Sequence, residues 1–186
     1  MTTRKDQALL TRERLLTAAM RTLQRTGPHG FTLDEVAREA TVSKGGLLHH
    51  FGSKRDLLQA LVQQVLATFT ERVHGYHAAD PRPPGSLTRA YIRATFGPAD
   101  LAPELGVLLL VAVLDDAALQ TIIQDDAQAW QQRLLDDGLP PGRVLVIRNA
   151  CDATWTEKLL GIAVLDLDHR EHLVTELLAL AAGGPR

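Results

Sequence analysis

"TLDEVAREATVSKGGLLHHFGSKRDLL", Thr32 to Leu58, is the stretch that decides the fold. Thr32-Leu33-Asp34-Glu35 fits a capping box, in which the Thr32 hydroxyl accepts from the Glu35 amide and the Glu35 carboxylate reaches back. Phe31 and Val36 flank that cap as a hydrophobic staple. Val36, Ala37 and Ala40 then face inward over a helix of about two turns, too short to stand alone. Ala40-Thr41-Val42-Ser43 is a turn, and Ser43 is a good N-cap for a second short helix, Lys44 to about Phe51. Gly52-Ser53 breaks the chain again, and Ser53 caps a longer helix with Asp56 at its third position. The anomaly is the pair Gly45-Gly46 inside the second short helix. Each glycine costs about 1 kcal/mol there against alanine, so something beyond the helix must offset it.

Working outward supplies the context. Leu16, Ala19, Met20 and Leu23 recur at helical spacing, so a first helix runs from about Thr11 to Arg25 and Gly27-Pro28 ends it. A long helix, a two-turn helix, a tight turn and another two-turn helix make helix-turn-helix geometry, whose second short helix can enter a major groove. The glycines then have a purpose. Without side chains at Gly45 and Gly46, the amides and axis of that helix can approach a phosphate backbone closely. Lys44, His49, His50 and Lys54 supply donors around the approach.

The residues Thr32, Val36, Ala37, Ala40, Val42, Ser43, Gly45, Leu47, His50, Phe51, Lys54 and Leu57, at these spacings, resemble the N-terminal domain of the TetR family of bacterial transcriptional regulators. The resemblance covers residues 11–57. It implies a three-helix DNA-binding head, a helical ligand-binding body and a homodimer joined by the last two long helices. Ligand binding in the body would change head spacing and release operator DNA. It also implies DNA contacts from Thr32, Ser43, Lys44, Gly45, Gly46, Leu48, His49, His50 and Lys54. Phosphate roles fall to Thr32, Lys44, Gly45, His49, His50 and Lys54, and base reading to Gly46 and Leu48. Three positions depart from the family pattern. Thr41 stands where the turn usually has glycine, so either the turn differs or stability is lost. Gly46 replaces a threonine or asparagine, and Leu48 replaces an aromatic. Leu48 can still touch a thymine methyl.

Bulk properties agree with such a division. The 186 residues are 45% hydrophobic but only 4% aromatic, and leucine and alanine dominate, which favours an all-α chain. Residues 1–56 carry ten Lys and Arg against six Asp and Glu, and residues 57–186 carry ten against sixteen. A basic head on an acidic body suggests a polyanionic partner for the head. The single cysteine, Cys151, excludes an intrachain disulfide framework. There is no signal-peptide core, and the longest apolar run, eight residues from Val107 to Leu114, is far below the ~20 needed to span a bilayer. A cytoplasmic protein is expected.

After the head, a helix from Lys54 to about His77 carries Leu57, Leu61, Val65, Phe69 and Val73 on one stripe and should reach into the body. Asp80-Pro81-Arg82-Pro83-Pro84-Gly85 reads as a linker. Five further helices are expected near Leu87–Phe96, Ala102–Leu114, Asp116–Asp136, Arg143–Ile162 and His169–Ala182, for about nine in all. The domains are then 1–56, helix-turn-helix, and 57–186, ligand binding and dimerisation, the latter through a four-helix bundle of the last two helices and their counterparts. Tyr91, Phe96, Leu108, Val111, Trp130 and Trp155 are candidates to line an apolar cavity. Asp126 and Asp152 could favour a hydrophobic, cationic inducer.

Other chemistry finds less support. His49 and His50 point about 100° apart on a helix and cannot easily share a metal. His169 and His172, beside Asp166 and Asp168, read as a helix start with Asp168 as N-cap. Cys151 reads as core packing. No catalytic constellation or phosphate loop is present, so there is no positive case for an enzyme, and neither a metal nor a cofactor is expected. The reading is a DNA-binding repressor released from a palindromic operator by a small molecule. A helical protein-interaction adaptor without DNA binding is the alternative.

Overall fold

The computed structural model describes residues 4–97, 116–160, 162 and 165–182. Among them are eight α-helices and no strand: α1 Arg4–Gly30, α2 Leu33–Glu39, α3 Lys44–His50, α4 Lys54–Ala79, α5 Ser86–Phe96, α6 Ala117–Leu135, α7 Pro141–Leu160 and α8 Leu167–Ala181. The helix expected over Ala102–Leu114 lies outside the described residues. α1 begins seven residues earlier than expected, because RKDQALL contains good helix formers and no breaker. Its geometry is lost at Gly27, with φ 69° and ψ 178°, where the glycine-proline pair placed the stop.

The short helices are set by their caps. The Thr32 hydroxyl accepts from the Glu35 amide at 3.2 Å, the Ser43 hydroxyl from Gly46 at 3.0 Å and the Ser53 hydroxyl from Asp56 at 3.1 Å. The reciprocal half of the capping box is replaced: the Glu35 carboxylate accepts instead from Arg25 at 3.1 Å and from Arg38. Two guanidiniums nearby outbid one backbone amide. A second cap also moves. Asp166, not Asp168, starts α8, accepting from the His169 amide at 2.8 Å. Asp168 then falls in the first turn, where its charge still favours the helix dipole.

Two hydrophobic cores organise the packing. The first gathers Leu15, Leu16, Ala19 and Leu23 of α1 with Phe31, Val36, Leu47 and Phe51, and with Leu57, Leu61 and Val62 of α4. Leu119 of α6 completes it, 1% exposed. A leucine so buried is worth about 2–5 kcal/mol against alanine, so α6 is bound firmly to this core. The second gathers Val73 of α4, Ala90, Tyr91, Ile92, Ala94 and Phe96 of α5, Trp130 and Leu134 of α6, Val144, Ile147 and Cys151 of α7, and Leu177 and Ala181 of α8. α4, about 39 Å long at 1.5 Å per residue, therefore starts in one core and ends in the other.

The proline-rich segment after α4 is tied down. Asp80 accepts from Arg82 at 2.9 Å, Arg89 at 3.2 Å and Arg93 at 3.1 Å. Arg89 also donates to the carbonyls of Pro84 at 2.9 Å and Ala181 at 3.3 Å. Asp137, on the loop after α6, caps α5 through the amides of Leu87 at 3.2 Å and Thr88 at 2.7 Å. Gly85 sits at φ 79°, and a Cβ there would lie 2.3 Å from the Ala181 carbonyl. No described helix is long and apolar enough to cross a membrane.

Candidate nucleic-acid interface and ligand region

The turn between α2 and α3 is a Schellman motif. The Thr41 amide donates to Arg38 O at 3.1 Å and the Val42 amide to Ala37 O at 3.0 Å, the 5→2 and 6→1 pattern of that motif. Thr41 occupies the position that usually holds glycine and takes φ 57°. The turn therefore keeps its left-handed geometry and carries the strain of a β-branched residue in it.

That turn sets the pose of α3. Leu47 is fully buried and anchors one side of it. The opposite side holds Gly45, Gly46, Leu48 and His49, all exposed, with His50 half-buried. A Cβ at Gly45 would meet nothing closer than the Ser43 hydroxyl, 4.0 Å away. At Gly46 it would meet the same oxygen at 3.3 Å, crowding the cap. Internal packing therefore does not demand the glycine at 45, and the bare backbone there faces outward.

The surrounding side chains are partly engaged. Lys44 pairs with Asp34 at 2.9 Å, so a phosphate must compete for it. Lys54 is exposed, its ammonium 5.4 Å from the Phe31 ring centroid. The His49 and His50 rings meet edge to face at 5.6 Å. Thr32 and Ser43 spend a lone pair on their caps and keep a hydroxyl proton to donate.

In the body, Tyr91 and Trp130 come together with Phe69. The ring centroids lie 5.2 Å (Phe69–Tyr91), 6.0 Å (Phe69–Trp130) and 5.4 Å (Tyr91–Trp130) apart. The Tyr91 hydroxyl donates to Asp152 at 3.1 Å, and burial first, then the Asp152 charge, pushes its pKa up. Asp152 also accepts from Arg148 at 3.2 Å, and Arg148 donates to Ala127 O at 2.7 Å. The Asp152 charge is thus answered inside the protein. Partial burial raises the pKa of Asp126, against the pull of Arg133 and Arg148. Phe96 is buried beneath the Arg170 guanidinium, 5.9 Å from the ring centroid. Trp155 is 41% exposed and is not part of the body core, and Leu108 and Val111 lie outside the described residues. A polar cleft of about 270 Å³ opens between α6 and α7, beside Gln131, Arg148 and Asp152.

Burial pushes the Cys151 thiol up to about 12, despite a hydrogen bond with Thr95 that opposes the shift. His169 Nδ1 lies 2.8 Å from Asp166 and His172 Nδ1 lies 2.8 Å from Asp168 O. No three His, Cys, Asp or Glu side chains among the described residues are placed to hold a metal. Sequence reasoning passed over Arg55, which forms a two-pronged ion pair with Asp116 at 2.6 and 2.7 Å. The partners are 61 residues apart, and only the charges themselves could have hinted at it.

Known proteins resemble this chain in sequence and fold. The chain is 35% identical over 85 residues to the HTH-type transcriptional regulator BetI of Paraburkholderia phytofirmans, a match spanning 46% of this chain and 44% of BetI. It is 35% identical over 80 residues to the regulator UidR of Escherichia coli K12, 41% of either chain. The chain thus matches under half the length of these relatives. Among solved structures, the multidrug binding protein EbrR complexed with malachite green superposes with a TM-score of 0.67 at 25% identity, over 91% of this chain and 96% of EbrR. A TetR-family member from Streptomyces coelicolor A3 gives 0.67 at 25% identity, over 90% and 97%. Residues 15–61 match the family model for bacterial regulatory proteins of the tetR family. Residues 85–182, more than half the chain, match the tetracyclin repressor-like C-terminal domain. With exposed glycines on α3 of its helix-turn-helix and a helical body packed around a core of its own, the chain belongs to the TetR family.

Proposed function

We propose that this chain is a ligand-responsive, DNA-binding transcriptional regulator, a homodimeric repressor released from a palindromic operator by a small molecule. The observation that carries the reading is the outward face of α3. Gly45 costs helix stability and meets no internal demand, since a Cβ there would touch only the Ser43 hydroxyl at 4.0 Å. An external surface that must come close explains it. Thr32, Lys44, Gly45, His49, His50 and Lys54 hold phosphates around that face, Ser43 contacts DNA beside them, and Gly46 and Leu48 lie against base edges. The region from residue 1 to about 56 is the reading head, and the rest binds ligand and dimerises.

Dimerisation through α7 and α8 is supported by apolar residues left on their surfaces: Leu145 at 46%, Val146 at 58% and Leu167 at 73% exposure. The inducer is proposed to be hydrophobic and cationic, seated near the Phe69, Tyr91 and Trp130 rings, with Asp126, four residues before Trp130 on α6, as the carboxylate that answers its charge. The complex of EbrR with malachite green makes that dye a sensible first probe. An inducer releases DNA only if it binds the conformer with misplaced heads more tightly than the DNA-competent one.

The deciding experiment measures binding to duplex DNA as a function of salt. Log affinity should fall steeply with log salt, and Lys54→Ala should weaken binding to all sequences equally and reduce the slope by about one. Absence of duplex binding at low salt would leave a protein-interaction adaptor as the reading.

A further inference from the structure

α6 is a second rod between the cores. Its first turn carries Leu119 in the head core, while Trp130 and Leu134, about three and four turns on, sit in the body core. Where α6 begins, Asp116 does two jobs at once. Its Oδ1 accepts from the Ala118 amide at 2.9 Å and the Leu119 amide at 3.4 Å, capping the start of the helix. The same carboxylate takes Arg55 through both prongs of the guanidinium. Arg55 is the second residue of α4, only five residues past the end of α3. The Ser53 cap and the buried Phe51 and Leu57 fix that short connection.

A displacement of the α6 N-terminus must therefore either drag Arg55 or break a bidentate ion pair. Bidentate arginine–carboxylate pairs constrain orientation as well as distance. The Asp116 carboxyl is held below its ordinary value, first by Arg55. The Arg55 side chain is 59% exposed and that of Asp116 18%. The pair ties the start of α4 to the start of α6 with a fixed geometry, whatever it adds to folding.

We infer that Arg55 and Asp116 are positioning residues that join the body to the DNA-reading helix, with the first turn of α6 as the transmitting part. The inference rests on the DNA-binding reading and deepens it by naming the joint. Because coupling is reciprocal, DNA on the head must also be felt at α6, so no inducer is needed for the test.

The test is hydrogen exchange on the full-length protein, with and without a saturating mixed-sequence duplex at low salt, read at the amides of residues 117–122. In the wild type, duplex should slow exchange there by about fivefold or more, the lower range of ordinary coupling. In Arg55→Ala and in Asp116→Asn the change should fall below half of the wild-type value at saturation. The asparagine variant keeps a capping oxygen for α6, so loss there cannot be blamed on an uncapped helix. Thermal melts confirm that both variants are folded. Retention of more than half the effect in either variant overturns the joint. A wild type that binds duplex without any change at α6 overturns it too, leaving the DNA reading intact. A wild type that fails to bind duplex removes both.

Discussion

Replacing Thr41 by glycine should stabilise the protein. Thr41 takes φ 57° at the end of α2. An L-residue in that region costs about 1–2 kcal/mol through the clash of Cβ with the following carbonyl. The side chain is exposed, so its removal forfeits little packing. Both hydrogen bonds of the turn are backbone bonds, from Thr41 to Arg38 and from Val42 to Ala37, and survive the change. Glycine adds chain entropy to the unfolded state, a cost of about 0.5–1 kcal/mol. The net gain is then about 0.5–1 kcal/mol, or roughly 1–4 °C in melting temperature for a chain of this size. Asparagine, which tolerates the left-handed region better than threonine, should fall between the two. Differential scanning calorimetry on the three proteins at one concentration measures the order. A Thr41→Gly protein melting at or below the wild type would refute the strain argument.

Three further outcomes are expected. Gly45→Val should abolish duplex binding while leaving stability within about 0.5 kcal/mol, because valine is no worse than glycine in a helix and meets open space; a band-shift assay beside a urea titration separates the two effects. Gly85→Ala should destabilise by about 2–4 kcal/mol, since its Cβ would collide with the Ala181 carbonyl at a positive φ. A loss too small to measure by denaturation would mean the proline-rich segment moves freely. Arg82, then Arg89 and Arg93, hold the Asp80 carboxyl well below the usual carboxylate range. A depressed folded pKa gives stability that is complete above the unfolded value near 4 and is lost as pH falls. Asp80→Asn should therefore be less stable than wild type at pH 7, and the gap in urea midpoint should begin to narrow only as pH falls below about 4, shrinking progressively in more acid solution.

What the amino-acid sequence determined alone was local. Thr32, Ser43 and Ser53 cap helices because each needs only its own oxygen and an amide three residues on. The Gly27-Pro28 stop, the short α2 and α3, and the open space beside Gly45 follow from the same short-range rules. Local rules also failed where two local answers competed. Asp166 and Asp168 can each cap a helix, and Glu35 can reach either an amide or the arginines at 25 and 38; the structure uses Asp166 and the arginines. Tertiary structure alone decided that Leu119 closes the head core, that Arg55 meets Asp116, and that Asp137 and Arg89 pin a segment that reads as a loose linker. These contacts join residues dozens of positions apart. Their energy comes from surfaces that meet only after the chain has turned back on itself, so no periodicity or spacing along the chain announces them.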